Sequence, residues 1–101
     1  MEGLVYVGTD LKFAISISSP GFDITEDDFT VDIRRGPKQI HFEKEELIED
    51  ESGQYYVCFD TTELGSGLIE AIITAHVPDD DFDDGIRTEV AKVKLLIARR
   101  V

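Results

Sequence analysis

The chain has no tryptophan, one cysteine, one methionine and three prolines, and its 10 lysines and arginines face 22 aspartates and glutamates. A lone Cys58 excludes an internal disulfide, so the fold must be held by its core and its hydrogen bonds. The shortage of positive charge leaves a net charge of -12. Such a field repels nucleic-acid phosphate and anionic lipid headgroups, so neither nucleic acid nor a membrane surface is expected as a partner. No window approaches the roughly 20 apolar residues of a membrane span, and the start Met1-Glu2-Gly3-Leu4-Val5-Tyr6 lacks a basic leader region. The expected setting is the cytoplasm of the producing cell or a particle assembled there. The simplest reading of the acidity is solubility; multivalent-cation binding and docking on a basic partner are the other two.

What is present describes one domain over residues 1–101, with 42% hydrophobic residues and 32% charged. A chain of this length buries one modest core. Both ends, Met1 and Val101, are expected to be held by the fold or by neighbours.

Period-two alternation places Leu11, Phe13, Ile15 and Ile17 on the buried face of a strand, ended by Ser19-Pro20-Gly21. Leu4 to Val7, closed by Gly8, reads as an edge strand or the first half of the same strand. Phe29, Val31 and Ile33 alternate with polar residues up to the turn Arg35-Gly36-Pro37-Lys38, and Ile40 and Phe42 resume the pattern as a hairpin, with His41 and Glu43 on its polar side. Glu43 to Asp50 carries too few apolar residues for a helix and reads as loop with a short strand at Leu47-Ile48. After the turn Glu51-Ser52-Gly53, Tyr55, Val57 and Phe59 form the next strand, with Tyr55 and Tyr56 on opposite faces and Cys58 read as a buried, inert thiol. Leu68 to Val77 is apolar at nearly every position, as in a central strand covered on both faces or packed at an interface, with Glu70, Thr74 and His76 on the wetter face. Ile86 to Ala98 is the last strand, with Ala91, Val93, Leu95 and Ile97 alternating with Lys92 and Lys94. About seven strands with short turns and no amphipathic helix predict an all-β, antiparallel two-sheet sandwich of immunoglobulin-like type.

The loop Pro78-Asp79-Asp80-Asp81-Phe82-Asp83-Asp84-Gly85 is the densest concentration of chemistry in the chain, because hard carboxylate oxygens are what calcium requires. Asp79, Asp81 and Asp83 have the spacing of a helical calcium loop, but Asp84 stands where that loop needs Gly and Val90 where it needs Glu. A non-helical site built from Asp79, Asp81, Asp83 or Asp84 is one reading. The other is a solvated turn in which Arg87 and backbone amides neutralise charge and Gly85 supplies a positive φ. His41 and His76 have no Cys or second His at zinc-ligand spacing, and Gly65-Ser66-Gly67 has neither the spacing of a nucleophile elbow nor the lysine of a phosphate loop; it reads as a flexible corner. No cofactor is expected beyond the possible calcium, and no enzyme.

The series Asp60-Thr61-Thr62, Leu64-Gly65-Ser66-Gly67, a long apolar strand, the acidic loop and Arg87-Thr88-Glu89-Val90 resembles small immunoglobulin-like structural proteins of phages and prophages of Bacteroidetes. It spans Asp60 to Val90, about a third of the chain. The resemblance implies a non-enzymatic virion protein, as an auxiliary or decoration protein on the capsid or a small head or tail adaptor, whose implied partners are other virion proteins and, within a particle, further copies of itself. Docking is expected to use Leu4, Val5, Tyr6 and Val7 together with Arg99, Arg100 and Val101. Two other classes fit the same residues: a calcium-stabilised sandwich that binds carbohydrate or protein, with Phe82 as its exposed aromatic, and a cytosolic scaffold of prophage origin.

Overall fold

A computed structural model describes residues 3–101. The chain is 59% strand and folds as a two-sheet β-sandwich, as its alternation predicts. The strands are β1 (Gly3–Tyr6), β2 (Asp10–Ile15), β3 (Asp28–Arg35), β4 (Lys38–Glu43), β5 (Ile48–Glu49), β6 (Tyr55–Asp60), β7 (Gly67–Pro78) and β8 (Ile86–Arg99). The two-residue β5 brings the total to eight. One sheet has the order β1-β8-β7-β3-β4 and the other β2-β6-β5. All pairings are antiparallel except β1 with β8.

The core lies between the sheets because each strand presents alternate residues inward. Phe29, Val31 and Ile33 of β3 are fully buried, as are Ile69 and Val77 of β7 and, within a few per cent, Val57 of β6. Each such side chain contributes about 1.5–3 kcal/mol by leaving water. Phe29 packs edge-on against Tyr55 and Phe22, with ring centroids 5.6 and 6.2 Å apart. Lys44 seals that end of the core, its ammonium donating to the carbonyls of Thr25 and Asp27 at 3.1 and 2.7 Å and lying over the Phe29 and Tyr55 rings.

Several expectations need correction. β2 ends at Ile15, so Ile17 lies in the following connection. Lys44–Glu46 forms a single 3-10 turn, made possible because Glu43 and Glu46 cap each other's backbone amides. Cys58 is exposed: Val57 and Phe59 take the inward positions of β6, so the residue between them points out. The outward face of β7 is half-exposed instead of covered, and carries Glu70, Thr74 and His76 as expected. Val101 follows the last strand and is fully exposed, whereas the expectation for Met1 lies outside the described residues.

In β8 the anticipated parity fails midway. Opposite β7, Ile69 pairs with Leu96 but Glu70 pairs with Lys94, so Leu95 is the extra residue of a β-bulge. Val93 therefore opposes buried Ala71 on the inner face, and beyond the bulge Leu96 and Ala98 are the buried residues, not Ile97.

The corner Leu64-Gly65-Ser66-Gly67 is pinned rather than flexible. Arg35 Nε donates to the Leu64 carbonyl at 2.8 Å, and its side chain lies so close to Gly67 (φ 134°) that a Cβ there would meet Arg35 Cδ at 2.7 Å. Just upstream, the buried Thr61 hydroxyl accepts from Gly8 N and donates to the Thr9 carbonyl, both at 2.9 Å, tying the β1–β2 turn to the far end of β6. Thr61→Val keeps the shape but strands the Gly8 amide. It is expected to lower stability by about 1–3 kcal/mol, read as a reduced urea midpoint with unchanged slope; an unchanged midpoint would show that the hydroxyl bridges nothing.

Candidate functional site

The β7–β8 hairpin carries the acidic loop at its tip, and its geometry follows from donors supplied next to each carboxylate. Asp79 Oδ1 accepts from the Asp81 amide at 3.0 Å, Asp84 Oδ1 accepts from the Ile86 amide at 3.1 Å, and Gly85 turns the chain at φ 75°. Arg87 points back along the inner face. Its Nη1 pairs with Asp79 Oδ2, its Nε donates to Glu89 Oε2 at 2.8 Å, and its Nη2 donates to the Pro20 carbonyl at 2.7 Å. One guanidinium thus joins the hairpin tip, the body of β8 and the β2–β3 connection.

These bonds set the titration of the group. The Asp81 amide, with Arg87 adding to it, holds the Asp79 carboxyl below its usual value, and the Ser19 hydroxyl and Arg87 do the same for Glu89. Both carboxylates raise the Arg87 pKa, Glu89 more than Asp79.

Of the four aspartates expected to hold calcium, Asp79 is committed to Arg87 and Asp84 to its own turn. Among the described residues no group of three or more His, Cys, Asp or Glu is placed to hold a metal ion. Asp79, Asp81, Asp83 and Asp84 are therefore not brought together as a cage. Phe82 is exposed at the tip.

The residues expected to dock do come together, in part. β1 is an edge strand lying parallel to the end of β8, with Leu4 opposite Ile97, Tyr6 opposite Arg99, and the Val7 amide donating to the Arg99 carbonyl at 2.8 Å. Leu4 and Tyr6, 56% and 55% exposed, point outward, and Arg99, Arg100 and Val101 are exposed beside them. Val5 and Val7 are partly buried against the core, so they support this edge without presenting it.

The histidines sit apart on the outer face of the larger sheet. His41 on β4 lies between Asp32 at 2.6 Å and Glu43 at 3.1 Å, and those two bonds, Asp32 first, raise its pKa. In the next row Glu70 is held between Arg34 and Lys92, both at 3.6 Å.

One surface was missed by the sequence reading: an apolar groove along the open side of the sandwich. Phe13, Ile15 and Ile17 line it from the β2 side and Ile73, Val93 and Leu95 from β7 and β8. The signal for it was the apolar doublet Leu95-Leu96, which breaks the alternation and allows either parity.

No protein-family model matches the chain, and the searches of curated proteins and of solved structures find no match.

Arg87→Ala removes the guanidinium's bonds to Asp79, Glu89, Ser19 and Pro20 and is expected to lower Tm by several degrees. Calcium added to the unaltered protein should move Tm by less than that substitution does. A calcium-dependent rise larger than the Arg87→Ala loss would make the aspartates ligands, since a ion that binds only the folded state stabilises it by mass action.

Proposed function

We infer that this chain is a non-enzymatic structural module of a phage virion, an auxiliary or decoration protein of the capsid or a small head or tail adaptor, which works by docking on other virion proteins. The observation that carries the docking part of this reading is the pair Leu4 and Tyr6, exposed on an edge strand and flanked by Arg99 and Arg100 on a protein of net charge -12. An edge strand offers unpaired backbone groups, an exposed aromatic offers a large rigid contact, and arginine is the cation most used at interfaces. The rest of the surface stays highly charged, as a domain tiling a particle requires for solubility.

The strand neighbours support the immunoglobulin-like part of the reading. β8-β7-β3 and β2-β6-β5 follow the order of the two sheets of that sandwich class, with β4 and β1 added at the edges. The resemblance between Asp60 and Val90 supports the virion setting. The calcium-dependent carbohydrate reading has less behind it, because Asp79 is neutralised by Arg87.

The test is mass spectrometry of density-banded particles produced by the genome that encodes this chain. Presence in many copies per particle is expected for a decoration protein and a few copies for an adaptor, and the double substitution Leu4→Asp with Tyr6→Ala should strip the protein from the particle while leaving it folded. Absence of the chain from purified particles would overturn the reading.

A further inference from the structure

The edge of β8 between Ile86 and Lys94 has β7 on one side, and on the other no strand among the described residues, because β1 reaches only Leu96 to Arg99. The stretch also exposes three large apolar side chains among its charged ones: Ile86 is 41% exposed, Val90 65% and Val93 46%. Behind it, Val93 opens into the groove shared with Phe13, Ile15 and Ile73. A long edge with exposed apolar residues is a template for pairing with another strand.

The sequence of this edge indicates what pairs with it. Ile86-Arg87-Thr88-Glu89-Val90-Ala91-Lys92-Val93-Lys94 is bounded by the turn at Gly85 and by the bulge at Leu95, and Val90 is its midpoint. Laid antiparallel against itself about Val90, it places Val90 opposite Val90, Thr88 opposite Lys92 and Ile86 opposite Lys94 on the outer face. On the inner face Glu89 falls opposite Ala91 and Arg87 opposite Val93. No like charges oppose, every residue keeps its own face, and the whole regular stretch is paired. Centring on Glu89 or Lys92 instead would set Glu89 against Glu89 or Lys92 against Lys92, which is destabilising, and centring on Ala91 would run the pairing into the bulge.

We propose that the chain forms a two-fold symmetric dimer through this edge of β8, joining two five-stranded sheets into one continuous sheet with the two grooves side by side on the same face. Such an isologous contact uses the same patch of both copies. Within the paired stretch itself, residues 86–94 carry Arg87, Lys92 and Lys94 against the single acid Glu89, so the strand that pairs is not part of the protein's acidic surface. The opposing force is the long-range repulsion of two bodies of charge -12, which salt screens. Dimerisation therefore tightens as ionic strength rises, the reverse of what docking on a basic partner would show.

Sedimentation equilibrium of the isolated chain, over a dilution series at low and high salt, is the experiment. The expected result is a species of twice the 11.3 kDa chain mass that grows with protein and with salt. Val90→Lys places two ammonium groups on the axis and should raise the dissociation constant about fivefold to tenfold, while an equimolar mixture of Val90→Lys and Val90→Glu should recover association as the mixed pair. Thr88→Glu, opposite Lys92, should tighten the dimer, a gain that a misfolded variant cannot produce. A monomer at every concentration and salt, or a dimer that these substitutions leave unchanged, would overturn the proposal. The outcome is independent of whether the chain enters a virion.

Discussion

The pairing of β7 with β8 is the constraint on which the rest of the molecule depends. β7 is the central strand of the larger sheet, hydrogen-bonded to β3 on one side and to β8 along its whole length on the other. The bulge at Leu95 lets one strand serve two environments. Beyond it, Leu96 and Ala98 complete the closed half of the core and β1 covers the edge; before it, Ala91 and Val93 face the open groove and no strand among the described residues covers the edge. Without the extra residue, either Leu96 and Ala98 would turn to solvent, or Val93 would do so while Lys92 and Lys94 were driven inward at the cost of desolvating their charges.

The acidic residues contribute more than solubility. Asp23, Asp50, Asp60, Asp79 and Asp84 each accept an amide two residues onward, so the turns of this fold are closed by carboxylates where other sequences would use Asn or Ser. Asp50 is the fullest case. Its carboxylate accepts from the Ser52 hydroxyl at 2.6 Å and from the amides of Ser52 and Gln54, which hold its pKa at about 2. A carboxyl whose folded value lies below its unfolded one stabilises the fold above the unfolded value and ceases to do so as pH falls through the folded one, so this contribution is present at neutral pH and lost toward strong acid.

Much of the architecture was legible in the sequence. Phe29, Val31 and Ile33 alternate with polar neighbours, the turns carry Gly and Pro, and Arg87 with Gly85 already described the hairpin tip. What escaped was information carried by neighbours distant in the chain. Thr61 looks like an ordinary loop residue until Gly8 and Thr9 are placed against it, and Gly67 looks free until Arg35 is packed over it. Cys58 was misread because an apolar run was taken as buried on both sides, when parity with Val57 and Phe59 turns it out. The four-residue apolar run from Leu95 to Ala98 concealed the bulge, and with it the open edge of β8.

The most direct measurement is the set of Hα–Hα nuclear Overhauser effects across β7 and β8 in solution. The account predicts cross-strand contacts consistent with Glu70 paired to Lys94 and Ile69 paired to Leu96, with Leu95 unpaired between them. An uninterrupted register that pairs Glu70 with Leu95 would contradict it, and would remove both the closed core of one half and the open edge of the other.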